Sequence, residues 1–457
     1  PGLGRLICVS NRVMKPDDKA TRGGLAVALS ELFNARGGLW CGWSGSVSEV
    51  PQTHRQDGAY TTLTIDMTPE EHEGAYRGYS NSVLWPVFHN RLDLARFDRN
   101  FFEAYVAYNI RLADLIAASL RPGDTIWVHD YHFLLLGRLL RERGVTNPIG
   151  FFLHIPMPPP EAFLAIPEHR DLASALAAYD LVGLQTTNDV GNFISCLRWA
   201  AGAELLPNGK LSIAGKQFQA ACFPISIDAG FFAAPPSAPR TTGIQRVIGV
   251  DRLDYTKGLP QKFRAFAHLL KAYPNFRKRA VLAQIAAPTR ESVEVYSDIR
   301  QELEGISGAV NGEYGDVDWM PVHYIHRAVS RQRLAALYRS AAVGLVTPLR
   351  DGMNLTAKEY VASQNAADPG VLILSRFAGA AEELRDALLV NPYCVEDIAD
   401  ALAQALSMPL PERKQRHAGL YEVIAKRGSA DWAVDFIGQL ERCARKRTLA
   451  LAVDPAA

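Results

Sequence analysis

Val346-Thr347-Pro348-Leu349-Arg350-Asp351-Gly352-Met353-Asn354-Leu355-Thr356-Ala357-Lys358-Glu359 reads as the end of a buried strand, a sharp loop and the start of a helix. The strand is the short apolar, β-branched run Gly344-Leu345-Val346-Thr347. Pro348 stops it, and Gly352 is expected to supply the backbone freedom of the turn. A helix over roughly Asn354 to Ala362 then points its unpaired N–H groups and positive dipole end into the loop, where a phosphate or diphosphate is the natural guest. Asp351 beside that anion is useful for gripping neutral hydroxyls, and Glu359 follows in the first turns of the helix. A carboxylate at each end of a phosphate site points to a nucleotide-sugar, with Asp351 on the sugar and Glu359 on the ribose. An ordinary strand–loop–helix with surface acids accounts for the same residues without a ligand.

A second segment has the same form. Arg246-Val247-Ile248-Gly249-Val250 reads as a strand, and Asp251-Arg252-Leu253-Asp254-Tyr255-Thr256-Lys257-Gly258-Leu259-Pro260 leads into an amphipathic helix carrying Phe263, Phe266, Leu269 and Leu270. Gly258 suits the bend and Pro260 the first helical turn. Arg252 and Lys257 therefore sit at the carboxyl end of a strand, where open α/β sheets bind ligands. Two fixed cations there can neutralise a leaving diphosphate, Arg by a planar fork and Lys as a point charge. A solvated surface pair is the plainer alternative.

Composition narrows the class. At 457 residues two domains are expected, and 48% hydrophobic with 21% charged residues describes a soluble globular protein. A net charge of +1 gives no general pull toward nucleic acid or membrane, so anion-binding cations must be local. No apolar run approaches the roughly 18 residues of a membrane span. The six cysteines are scattered without metal or redox spacing and fit a reducing compartment. The chain opens on strand-like Leu6-Ile7-Cys8-Val9 without a basic, apolar leader, which favours the cytoplasm. The lack of an initiator methionine implies residues missing before Pro1.

Strand-like runs alternate with helical ones throughout, as in parallel α/β sheets. The clearest strands are Leu6–Ser10, Thr125–His129, Ile149–His154 and Leu181–Gln185, then Arg246–Val250, Arg279–Ala286, Val343–Thr347 and Val371–Leu374. Helices are expected over Phe101–Leu120 and Phe133–Arg143. Ala233-Ala234-Pro235-Pro236-Ser237-Ala238-Pro239 breaks both patterns and reads as a linker. The expectation is an α/β protein of two Rossmann-like domains, residues 1–234 and 235–457, with parallel sheets of similar size and a central cleft.

Both opening segments, with Val9-Ser10-Asn11-Arg12, Gly23-Gly24-Leu25-Ala26, Gly38-Leu39-Trp40-Cys41-Gly42-Trp43-Ser44-Gly45, Asn81-Ser82-Val83-Leu84-Trp85-Pro86, Trp127-Val128-His129-Asp130-Tyr131-His132, Gly150-Phe151-Phe152-Leu153-His154-Ile155-Pro156 and Leu374-Ser375-Arg376-Phe377-Ala378-Gly379-Ala380-Ala381-Glu382-Glu383-Leu384, resemble the trehalose-6-phosphate synthase family of retaining glycosyltransferases, family 20. The resemblance runs along nearly the whole chain. It implies the GT-B fold, with a last helix near Asp431–Arg442 returning to the first domain. It implies transfer of glucose from UDP-glucose to glucose 6-phosphate with retention, giving trehalose 6-phosphate, without a metal or other cofactor.

The resemblance also assigns residues. Arg12, Tyr76, Trp85, Asp130 and Arg290 look like acceptor ligands, with Arg12, Tyr76 and Arg290 on the phosphate. Gly23 and Gly24 look like a donor-contacting hinge, and His154 like a donor-sugar ligand that stabilises positive charge as the glycosidic bond breaks. The donor set is completed by Arg252, Lys257, Val329, Asp351, Gly352, Met353, Asn354, Leu355, Thr356, Ala357, Lys358 and Glu359, with Arg252, Lys257, His154 and Asp351 the catalytic group. Each has a bland counterpart, such as an exposed loop for Arg12, a core aromatic for Trp85 and a satisfied core histidine for His154.

Two other matches mislead. Asp316-Val317-Asp318 has the form of a metal-binding D-x-D but lacks a preceding apolar strand, and reads as a turn. Ser10-Asn11-Arg12 stands where a dinucleotide oxidoreductase needs its glycine fingerprint. His129-Asp130-Tyr131-His132 invites a metal, yet no further ligand cluster accompanies it. The remaining alternatives are a glucosylglycerol-phosphate synthase, a cyclitol-coupling enzyme, other nucleotides such as GDP or ADP, and a non-catalytic sugar-phosphate-binding homologue. Neither nucleic acid nor membrane is an expected partner, and a homo-oligomer is left open.

Overall fold

The computed structural model describes residues 4–13, 29–30, 32–34, 36–233, 243–289 and 294–453. Two compact units emerge. The first holds the described residues up to Ile225 together with the C-terminal residues from Ala430, and the second holds Ser226–Ser429.

The first unit is built on strands β1 (Leu6–Arg12), β2 (Leu39–Val47), β3 (Thr53–Gln56), β4 (Thr61–Met67), β5 (Thr125–His129), β6 (Ile149–Phe152), β7 (Leu181–Leu184), β8 (Glu204–Leu205), β9 (Leu211–Ile213) and β10 (Lys216–Cys222). They run in the order β3-β4-β2-β1-β5-β6-β7-β10-β9-β8. The stretch from β4 to β10 is parallel, and β3, β9 and β8 join antiparallel at the two edges. β5, β6 and β7 are buried along their whole length, which is why β6 and β7 are unbroken apolar runs and β5 is apolar through Ile126-Trp127-Val128, without alternation.

The second unit contains β11 (Gln245–Arg252), β12 (Ala280–Ala287), β13 (Val322–Ile325), β14 (Val343–Val346), β15 (Val371–Ser375) and β16 (Leu388–Val390). Their order is β13-β12-β11-β14-β15-β16, parallel throughout. The helix Leu259–Ala272 buries Phe263, Phe266, Leu269 and Leu270, the apolar stripe expected of it. Its entry turns on Gly258 at φ 64°, and a Cβ there would lie 2.4 Å from the Thr347 carbonyl oxygen.

Several boundaries differ from the sequence reading. The sheets are unequal, ten strands against six, because short antiparallel strands extend both edges of the first. β6 stops at Phe152, so His154 lies beyond the strand and not at its last position. A tight turn over Tyr131–Phe133 delays the next helix to Leu136–Glu142. The left-handed torsion in the loop after β14 falls on Asn354, φ 75°, and not on Gly352 as expected. An asparagine tolerates that torsion better than most residues because its short polar side chain bonds locally. Residues 226–233, read with the first domain, group with the second unit: Phe232 is fully buried and its carbonyl accepts from Arg339 Nη2 at 2.9 Å. Most of the proposed linker, residues 234–239, lies outside the described residues.

The helix Ser429–Val453 packs in the first unit against β5, β6 and β7. The Phe436 ring stacks on Trp127 at 4.8 Å and meets Phe152 edge-on at 5.7 Å. Gly150 and Gly183 make the socket, since a Cβ on either would come within 2.7 Å of that ring. Phe436→Ala is expected to destabilise the protein by about 3–5 kcal/mol, the cost of emptying a buried aromatic site. A denaturant midpoint unchanged from that of the parent would show that the helix is not docked in this socket.

Candidate active site

Both units present polar side chains at the carboxyl ends of their parallel strands. In the first unit Arg12 closes β1 and is exposed, with its guanidinium carbon 5.9 Å from the centre of the Trp43 ring. A Cβ on Gly45 would lie 3.0 Å from Arg12 Nη2, so glycine there makes room for the fork. Tyr76 projects from the wide helix Glu71–Leu84, closed by a bond from the Trp85 N–H to the Ser80 carbonyl. Its ring lies 5.2 Å from Trp43, 5.6 Å from His72 and 6.2 Å from His132. Trp85 is buried against His89 at 4.2 Å and Tyr131 at 5.8 Å.

Asp130 follows β5 with φ 76° and ψ 169°, a conformation populated almost exclusively by glycine. Its N–H donates to the Phe152 carbonyl at 2.7 Å, and its Oδ1 accepts the His154 N–H at 3.2 Å. His154 also faces His129 and Gln185, with His129 Nδ1 to His154 Nε2 at 3.0 Å and Gln185 Nε2 to His154 Nδ1 at 3.5 Å. Burial pushes the His154 ring down to about 3, so it is neutral across the physiological range. Burial also holds His129 well below the usual histidine range.

In the second unit Arg252 ends β11 and is exposed, while Lys257 closes the turn Tyr255–Lys257 and is nearly buried. Asp254 caps that turn through the Thr256 N–H at 3.0 Å. Lys257 Nζ donates to Asp351 Oδ2 at 2.5 Å, and Asn354 Nδ2 donates to the same oxygen at 2.9 Å. Asn354 then caps the helix Leu355–Ala362 by accepting the Ala357 N–H. The N–H groups of Leu355 and Thr356 belong to the same first turn, ahead of the capped one. Backbone bonds lace the loops together: the Leu349 N–H donates to the Thr256 carbonyl, Asp351 to Phe377, Gly379 to Asp351 and Ala380 to Met353.

Glu359 is partly buried, and desolvation raises its carboxyl to about 7 against the opposing pull of Arg331. The Tyr338 hydroxyl donates to it at 3.5 Å. Lys358 turns inward and pairs with Glu383 at 2.7 Å, so what it offers to the loop is backbone. Val329 lies in the loop between β13 and the helix Arg331–Ser340.

The structure thus gathers Arg12, Tyr76, Trp85, Asp130 and His154 in the first unit. It gathers Arg252, Lys257, Asp351 and the Asn354 helix terminus, with Glu359 on that helix, in the second. Gly23, Gly24 and Arg290 lie outside the described residues. Sequence reasoning missed the ion pair between Lys257 and Asp351, having given the two residues separate tasks. It also missed Trp43 and His72 beside Tyr76, although Trp43 stands in a quoted glycine-rich motif. Asp316 forms a turn with Trp319 and pairs with Lys278, as turn chemistry predicts for that D-x-D. Among the described residues no group of three or more His, Cys, Asp or Glu side chains is placed to hold a metal ion, and no helix is long and apolar enough to cross a membrane.

The model of glycosyltransferase family 20 matches residues 9–442. A trehalose-6-phosphate synthase of Enterobacter sp. (strain 638) is 46% identical over 456 residues, covering 96% of each chain. An α,α-trehalose-phosphate synthase (UDP-forming) from Burkholderia xenovorans, solved with glucose 6-phosphate, superposes with a TM-score of 0.91 at 44% identity, covering 96% of this chain and all of that one. The E. coli protein solved with UDP-2-fluoro glucose gives a TM-score of 0.91 at 43% identity, over 96% and 99% of the two chains.

The raised Glu359 carboxyl has a measurable consequence. Between its unfolded pKa near 4.5 and its folded value near 7, the native state binds more protons than the unfolded one. Its contribution to stability is therefore full below pH 4.5 and is lost as pH rises through 7. Relative to the parent, Glu359→Gln should gain thermal stability as pH rises from 4.5 to 8. A difference in Tm that is flat with pH would rule out the raised carboxyl.

Proposed function

Because the chain belongs to glycosyltransferase family 20, with that family's GT-B fold, we propose that it is an α,α-trehalose-6-phosphate synthase, transferring glucose from UDP-glucose to glucose 6-phosphate with retention to give trehalose 6-phosphate and UDP. The observation that carries this reading is the cluster of Lys257, Asp351 and Asn354 at the start of the helix Leu355–Ala362. It combines a cation, a hydroxyl-gripping carboxylate and a helix N-terminus within one hydrogen-bonded unit, the groups a nucleoside diphosphate sugar needs.

The diphosphate takes Lys257, Arg252 and the N–H groups of Leu355 and Thr356. Asp351 neutralises Lys257, and an arriving diphosphate replaces it on the lysine. Asp351 is then released to the sugar hydroxyls. Glu359 accepts from the ribose. Gly23, Gly24, Val329, Gly352, Met353, Ala357 and Lys358 complete the donor set. On the acceptor side Arg12 and Tyr76 take the phosphate, with Arg290, while Trp85 and Asp130 orient the hexose.

No carboxylate is assigned as nucleophile, so the reaction proceeds by same-face attack. The acceptor hydroxyl passes its proton to the departing phosphate oxygen as the glycosidic bond breaks. Preorganised charge supplies most of the acceleration, and no metal is required. Six free thiols support a reducing, cytoplasmic setting.

A coupled assay tests the reading: UDP should be released from UDP-glucose when glucose 6-phosphate is present, at a rate unchanged by exhaustive chelation with EDTA. Release that needs a divalent ion, or none with this pair of substrates, would refute it. Arg252→Ala and Lys257→Ala should each lower turnover by roughly 10²–10³, the scale of one lost transition-state charge stabiliser. Donor affinity should fall less than turnover does, and near-normal turnover in either variant would remove that residue from the mechanism.

A further inference from the structure

We propose that Gln185 and His129 are positioning residues that hold His154 as an uncharged imidazole carrying its proton on Nε2. The proposal rests on the reading of His154 as a donor-sugar ligand and deepens it.

The chain of inference starts at a backbone amide. The Ile225 N–H donates to Gln185 Oε1 at 3.0 Å, and an amide N–H can only donate. That fixes the orientation of the Gln185 side chain, so its NH₂ is the group that faces His154 Nδ1 at 3.5 Å. A proton on Nδ1 would point at those amide hydrogens, so Nδ1 carries the lone pair and the His154 proton resides on Nε2. From there it is donated to His129 Nδ1 at 3.0 Å, which makes His129 the acceptor and places its own proton on Nε2. His129 Nε2 is buried and has no hydrogen-bond partner among the described residues. An orphaned donor at the end of a relay is costly to keep, and its retention calls for a reason.

The surroundings supply one. His129 sits between aromatic rings, 4.4 Å from Trp127 and 6.2 Å from Trp432, and His154 lies 5.8 Å from Trp432 and 4.6 Å from Phe152. The neighbouring titratable groups are few. Asp130 takes the His154 backbone N–H, and the Cys222 thiol donates to the Gln185 carbonyl. Among the described residues no carboxylate shifts either ring, as one would in a pair built to charge a histidine. Burial accordingly keeps both rings neutral. The departing glucosyl group gains positive charge in the transition state. A protonated His154 beside it would oppose that charge, whereas a neutral ring held by Gln185 and His129 does not. Gln185 and His129 therefore act through His154 and need not touch substrate.

Histidine-selective ¹⁵N NMR of the full chain reads the tautomer directly, with the His154 signals identified by their loss in His154→Phe. In the parent, Nδ1 should be unprotonated and Nε2 protonated, unchanged from pH 8 to pH 5. Gln185→Glu keeps the acceptor for Ile225 but places a carboxylate against His154 Nδ1. It should move the proton to Nδ1 and bring the ring into titration between pH 5 and 8. Its kcat should then drop at least tenfold more than the parent's between pH 8 and pH 6, with KM for glucose 6-phosphate little altered.

A parent spectrum with Nδ1 protonated overturns the proposal. So does a folded Gln185→Glu protein that keeps the parent tautomer and pH profile. If His154→Phe turns over like the parent, the reading of His154 as a donor ligand fails instead, and the NMR result stands apart from it.

Discussion

The ion pair between Lys257 and Asp351 ties together the two loops on which the second unit's chemistry depends. Lys257 comes from the turn after β11 and Asp351 from the loop after β14, neighbouring strands in the sheet. Each of the two loops carries charged side chains, Arg252 and Lys257 on one and Arg350 and Asp351 on the other. Joined by the pair, and by the Leu349-to-Thr256 backbone bond beneath it, they become one surface. Breaking such a nearly buried pair leaves a charge without a partner, which is more costly than the net worth of the pair. The same contact thus joins the two loops into one charged surface at the strand ends.

The parallel topology explains why this surface exists. In a parallel sheet every carboxyl end points the same way, so loops far apart in sequence share one edge. Residues 252, 257, 351 and 354 converge for that reason in the second unit, and residues 12, 130 and 154 do so in the first. The strands themselves are almost wholly apolar, and their role is to fix where the loops begin. The helix Ser429–Val453 contributes from behind, since Phe436 seats in the glycine socket of β6 and β7, the strands that lead to His154 and Gln185.

Much of this was legible in the chain. Central strands such as Leu181–Leu184 stand out because burial on both faces demands unbroken apolar runs, and amphipathic helices such as Leu259–Ala272 because burial on one face demands a stripe. Arg252, Lys257 and Asp351 could be placed at strand ends because Gly258 and Pro348 mark the breaks. What the chain did not disclose was pairing across the fold. That Asp351 meets Lys257, or that Gln185 meets His154, depends on strand order, which local pattern does not encode. The edge strands β8 and β9 were missed because two or three residues are too few to show a period. Gly352 was misjudged because a glycine advertises freedom it need not use, while Asn354 adopted the left-handed torsion in its place.

Asp130 holds a backbone conformation that suits glycine, at a strain of order 1–3 kcal/mol. Its carboxylate, which accepts the His154 N–H, could not be supplied by the residue that would sit there without strain. Backbone strain and side-chain bonding therefore pull this position in opposite directions: glycine at 130 would relieve the torsion and lose the bond that ties the loop after β5 to the loop after β6.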